Sequence, residues 1–235
     1  MRRALTTLTA IATLAAIVAG CDWPRDADGT LADVRGGVLR VGVTAHPPWT
    51  SLTGDSVDGA EARLVERLAD RLDARVEWVR GAESELMRAL GERVLDVVVG
   101  GLDAELPWIQ EVSLTRPYVH VRAVVAVPDG VPAPADLSGV PVAVPAGSAE
   151  VAALEKEGAR PVPVAEVTGQ ERTPVVVDDW QAPALGLRPT DVELGAHDHV
   201  WAVPLGENGW QVEVERFLLG LPDGEVQRLL GQAAA

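Results

Sequence analysis

Four histidines, an excess of carboxylates, seven tryptophans and one cysteine are the residues of this 235-residue chain best equipped for chemistry. His197-Asp198-His199 sets two imidazoles two residues apart with a hard oxygen donor between them, and His46 and His120 complete the set. Residues two apart on a strand share a face, so metal ligation is one chemistry open to them. Neither the ligand spacing nor the flanking partners of a metal centre accompany the cluster, and no metal is expected. His199 is instead expected to open a strand and His197 to lie in a polar loop. Ser148 follows Gly147 as a nucleophile elbow requires, but no glycine comes two residues later, and that pattern fails. Paired carboxylates are frequent simply because Asp and Glu number 35 against 20 Lys and Arg.

The cysteine has a different explanation. Arg2 and Arg3 precede an apolar run, Ala4 to Ala19, and Val18-Ala19-Gly20-Cys21 closes it. This reads as a secretory signal over residues 1–20 with its cleavage site at Cys21. It resembles the lipobox of bacterial lipoproteins, which implies lipidation at Cys21 and a protein anchored outside the cytoplasm, on the periplasmic face in a diderm. With no second cysteine, no intramolecular disulfide forms. Loss of Arg2 and Arg3 takes the formal charge from −15 to −17. Such an acidic chain has no footprint for nucleic acid, and its charge keeps it soluble and off anionic lipid surfaces.

The elements that must position any site follow from periodicity. Residues 21–37, rich in Asp and Gly, read as a tether. Strands are expected at Val38–Val43, Arg75–Val79 and Leu95–Val99, the last closed by Gly100-Gly101, with helices at Ala60–Leu72 and Glu83–Leu90 between them. A second set follows. It comprises strands at Val124–Val127, Val140–Val144, Val162–Val167, Pro174–Val177 and Val200–Val203, a helix at Ala149–Glu157, and closing helices at Trp210–Leu219 and Glu225–Leu230. Alternating strands and helices predict α/β structure, and two such sets predict two lobes with a cleft between them.

The ordered series Leu39-Arg-Val-Gly-Val43, Pro47-Pro48-Trp49, Gly59 opening a helix, Asp96-Val-Val-Val-Gly-Gly101, Arg116-Pro-Tyr118, Asp136-Leu-Ser-Gly139 and Val142-Ala-Val-Pro-Ala-Gly-Ser148 resembles the family 3 bacterial solute-binding proteins, the amino-acid-type receptors of ABC importers. The resemblance implies the two-lobed type II periplasmic-binding fold, each lobe a mixed sheet flanked by helices. Lobe 1 would span residues 38–118, with 203–235 returning to it, and lobe 2 residues 119–202. Residues 168–173 stand where the family commonly has a full helix, so a shortened second lobe is expected. The implied function is capture of a small molecule and its delivery to an ABC permease, by a monomer without cofactor or catalytic residues.

The same resemblance implies the site. Trp49 holds the place of an aromatic that stacks on the ligand. Gly101 and Asp103 fall at a backbone carbonyl and a hydroxyl position, and Trp108 falls where an arginine normally clamps the ligand's carboxylate. Gly147 and Ser148, before a helix, match a second carboxylate contact, and Asp178 matches the residue that grips an amino group, with Asp179 its one-residue competitor. Arg116 is a substitute clamp only if it reaches the cleft. Carboxylates and indoles without their main cation favour a cationic or zwitterionic amine. The alternative is a degenerate solute-binding domain that serves as a sensing or protein-interaction module at the cell surface.

Overall fold

A computed structural model describes residues 25–107 and 110–234; Cys21, the signal and Trp108 lie outside the described residues. The elements run α1 (Thr30–Val34), β1 (Val38–Val43), β2 (Ser51–Thr53), β3 (Ser56–Asp58), α2 (Ala60–Arg71), β4 (Arg75–Arg80), α3 (Glu83–Gly91), β5 (Val97–Asp103), β6 (Val112–Leu114) and β7 (Val119–Pro128). They continue with β8 (Pro141–Pro145), α4 (Glu150–Lys156), β9 (Arg160–Val164), β10 (Val175–Asp178), β11 (Leu187–Pro204), α5 (Asn208–Leu218) and α6 (Glu225–Ala233).

Apolar spacing explains the first half. Leu39, Val41 and Val43 are buried on β1, and Ala60, Leu64, Val65, Leu68 and Ala69 line the inner face of α2, while Glu66, Arg67 and Asp70 face water. The strands hydrogen-bond in the order β4-β1-β5-β11-β7-β10-β8-β9, with β6 added to the far end of β11. β4-β1-β5 and β10-β8-β9 are parallel groups. Between them stands one antiparallel pair, β7 with β11, running from Val119↔His199 to Pro128↔Leu187. Buried apolar residues form four clusters. Two flank the first group and draw in α2, α3, α5 and α6; two flank the second and draw in α4. Trp201 and Trp210 are wholly buried in the first set, which Trp180 joins from the far side of the chain.

Three expectations change. β5 does not stop at the glycines but runs through Gly100 and Gly101 to Asp103. β11 is 18 residues long, although only Val200–Val203 carries a strand pattern in the sequence. Pro189, Asp191 and Gly195 disfavour a strand locally, and pairing with β7 overrides them. His197 is therefore in the strand with His199, not in a loop. The stretch expected to be a tether is folded from residue 26 on. The Asp26 carboxylate accepts from Trp210 N–H at 2.8 Å and Leu31 N–H at 2.9 Å, and Val34 is buried. Residues 165–174 form turns and irregular chain, with no helix. No described helix is long and apolar enough to cross a membrane.

Candidate functional site

The first half of the site is built around a carboxylate that sequence reasoning passed over. Glu61, in the first turn of α2, is wholly buried. One oxygen accepts from Gly100 N–H (2.8 Å) and Gly101 N–H (2.7 Å), the other from Tyr118 O–H (2.8 Å) and Trp201 Nε1–H (2.9 Å). Burial pushes its carboxyl up, against the pull of those four donors. Burial and the Glu61 charge likewise hold the Tyr118 phenol well above its usual range. One side chain thus ties the end of β5 to the entry of β7 and to β11. Gly101 carries φ 66°, and a Cβ there would stand 2.6 Å from His46 Nδ1 and 2.9 Å from the Trp49 ring, so only glycine fits.

Around this anchor the histidines gather. Trp49 is only 4 % exposed and its ring lies 3.9 Å from that of His199, tilted by 32°. Burial lowers the His199 imidazole to about 4, and its Nδ1 has no partner among the described residues. His46 Nδ1 is 3.0 Å from the Gly100 carbonyl. His197 Nδ1 meets Asp103 at 2.8 Å, and His120 Nδ1 meets Asp198 at 2.8 Å. Burial alone would raise Asp103, but the Glu105 N–H and His197 outweigh it and leave the carboxyl below its ordinary value. Among the described residues no three His, Cys, Asp or Glu side chains converge as a metal site.

The second half gathers at the end of β10. Asp178 accepts from Trp180 Nε1–H at 3.2 Å, and its N–H donates to Gln181 at 3.0 Å. Its carboxyl is raised, first by burial and then by the charge of Glu150, while the Trp180 N–H and His197 pull it down. The competing Asp179 is engaged elsewhere, 3.0 Å from Arg122 Nε. Arg116 is held by Glu215 of α5, at 3.0 Å. Gly147 (φ 81°) and Ser148 form the turn before α4; Ser148 N–H points back to the Pro145 carbonyl at 3.3 Å, and its Oγ is buried without a partner among the described residues.

A cavity of about 580 Å³ opens beside Asp178 and is lined also by Trp180, Glu150, Glu166 and Gly231. Three acidic residues and a tryptophan line it, and no basic residue does among the described residues. Of the residues singled out from the sequence, Asp178 lines this cavity. Trp49, Gly101 and Asp103 stand together at Glu61 and the histidines, whereas Gly147 and Ser148 flank the cavity wall without contributing to it. Glu61 was the residue missed, and its one sequence signal is its place two residues after the glycine that opens α2. His197 was weighed only as a metal ligand or a loop residue, and its pairing with Asp103 comes from neighbours across the sheet.

The model of the bacterial extracellular solute-binding proteins, family 3, matches residues 39–231. Solved structures with the same fold include the L-cystine solute receptor of Neisseria gonorrhoeae in its unliganded open form. It is 18 % identical, with a TM-score of 0.69, over 86 % of this chain and 97 % of that one. An ancestral cationic amino acid solute-binding protein is 20 % identical, with a TM-score of 0.64, over 86 % and 98 %. A binding component of an ABC transporter from Wolinella succinogenes, complexed with lysine, is 19 % identical, with a TM-score of 0.55, over 82 % and 94 %. No curated protein matches the chain.

Proposed function

The chain belongs to the family 3 bacterial extracellular solute-binding proteins, and from that premise we propose that it is a lipid-anchored receptor that captures a small amine and hands it to an ABC importer without altering it. The observation that carries the ligand class is the cavity at Asp178, lined by three acidic residues, a tryptophan and, among the described residues, no basic residue. An ammonium group there gains charge-assisted hydrogen bonds and contact with an indole face, whereas an anion meets only repulsion. The volume suits a metabolite-sized ligand. A lysine complex and a cationic amino acid binder among the proteins of like fold are consistent with this reading.

Mechanically, residues 38–118 with 203–235 act as one lobe and 119–202 as the other, and β7 and β11 serve as the hinge. Hinge closure over the ligand creates the surface that a membrane permease recognises. Cys21 carries the lipid. A second reading, a sensing or protein-interaction module, draws on the turns at 165–174, where no helix enlarges the second parallel group. Genes for a permease and an ATPase beside this one favour import, and a neighbouring sensor kinase favours the second reading.

Thermal denaturation with a panel of amines, zwitterions and anions tests the ligand class. At a hundredfold excess over Kd, a binding amine raises the Tm by about 5–10 °C. Asp178→Asn removes most of that shift. Stabilisation by anionic metabolites alone would overturn the reading.

A further inference from the structure

Asp178, the carboxylate on which the amine reading rests, has one side-chain donor among the described residues, the Trp180 Nε1–H at 3.2 Å. The backbone around it is fixed separately. Gln181 N–H donates to the Asp178 carbonyl at 2.9 Å and Gln181 Oε1 accepts from the Asp178 N–H at 3.0 Å, which closes residues 178–181 into a turn. Asp179 N–H donates to the Arg122 carbonyl of β7 at 2.8 Å. What remains free is rotation of the carboxylate about its side-chain bonds, and the indole N–H opposes it. The indole is itself held from elsewhere. Trp180 is 8 % exposed and belongs to the apolar cluster that includes Val119 and Val121 of β7 and Leu229 and Leu230 of α6. Cavities of about 580 and 520 Å³ both reach it, so close packing does not enclose the ring on every side, and its N–H contact with Asp178 helps to fix it.

We infer that Trp180 is a positioning residue of the amine site, its N–H holding the Asp178 carboxylate in the orientation that meets an ammonium group. This rests on the amine reading of the cavity and adds to it a residue that acts through another. A hydrogen bond donated to a carboxylate favours the ionised form, which is the form that binds an amine. Burial raises the Asp178 carboxyl and the Trp180 N–H pulls it back; Glu150 of α4 and the adjacent Asp179 raise it, and His197 of β11 lowers it. Glu166 lines the same cavity. The indole thus opposes burial and like charge, the two effects that would neutralise the site.

Calorimetric titration with butylamine between about pH 4 and 8 provides the test, because an alkylamine of the lysine type keeps its proton up to about 10.4 and the probe stays charged throughout. Trp180→Phe and Trp180→Leu both remove the N–H and keep an apolar side chain in the cluster. Each should weaken binding about tenfold and move the acid limb, where affinity falls as Asp178 takes up a proton, to higher pH. In the unmutated protein the indole N–H resonance of Trp180 should shift along that same limb, a reading that does not depend on either variant folding. A loss of affinity that follows side-chain size while the limb stays in place, or an indole resonance indifferent to the limb, overturns the inference and leaves the amine reading intact. Failure of butylamine to bind the unmutated protein, or binding that survives Asp178→Asn, removes the amine reading and the inference with it.

Discussion

Glu61 and His199 are both buried titratable groups, and they stabilise the molecule in opposite ways. The Glu61 carboxylate satisfies four donors. Glu61→Gln keeps the shape but sets an NH₂ group against two of them. We expect a loss of about 3 kcal/mol in urea unfolding, since buried donors left without an acceptor each cost about 1–3 kcal/mol. His199 is held neutral against Trp49, with its imidazole lowered to about 4 from an ordinary 6.5. The unfolded chain therefore binds a proton before the folded one does. Its contribution is complete above pH 6.5 and is lost as pH falls towards 4, by about 2–3 kcal/mol. In His199→Phe, which keeps the ring stacking, stability measured across that window should lose this slope. An unchanged slope would assign the pH dependence to other groups.

Elements add what no single residue supplies. α1 and the chain before it are tied down by Glu207, which is only 1 % exposed and accepts from Asp28 N–H at 2.9 Å, Thr30 N–H at 3.0 Å and Arg93 at 2.8 Å. Those donors hold its carboxyl below the ordinary range despite burial. Glu207→Gln weakens this attachment without touching the sheet. Amide exchange in residues 28–34 should then rise about tenfold or more while the strands stay protected, because local opening requires less free energy than global unfolding. Uniform loss of protection would show instead that the segment is part of the cooperative core. The β7–β11 pair matters in the same way. Among the described residues it alone joins the two parallel groups through sheet hydrogen bonds, which is why the proposed hinge is placed there.

At the scale of the whole molecule, the docked segment bears on the proposed lipid anchor. The fold is engaged from Asp26 onward. If Cys21 bears the lipid, the intervening residues can span only about 15 Å when extended. The receptor would then sit close to the membrane, near any permease, instead of sweeping a wide volume. Cys21→Ser should move the mature protein from the membrane fraction to the soluble one. Retention on membranes would show that something other than that thiol holds it.

Much of this architecture was legible from sequence because its elements are locally determined. The 3.6-residue spacing of Leu64 and Leu68 in α2 and the alternation of β1 are properties of short segments, and the ordered motifs from Leu39 to Ser148 pointed to the family that the match over residues 39–231 bears out. Other features depend on residues far apart in the chain. β11 is a strand because β7 pairs with it, against the preferences of Pro189, Asp191 and Gly195. Glu61 matters because its four donors come from β5, the entry to β7, and β11. The acidic residues that line the cavity, Glu150, Glu166 and Asp178, lie in three separate segments and look like an acidic background until folding brings them to one cavity. Local propensity and spacing therefore determined the elements and their order, while long-range pairing and burial decided which charged groups face each other and hence what the protein can bind.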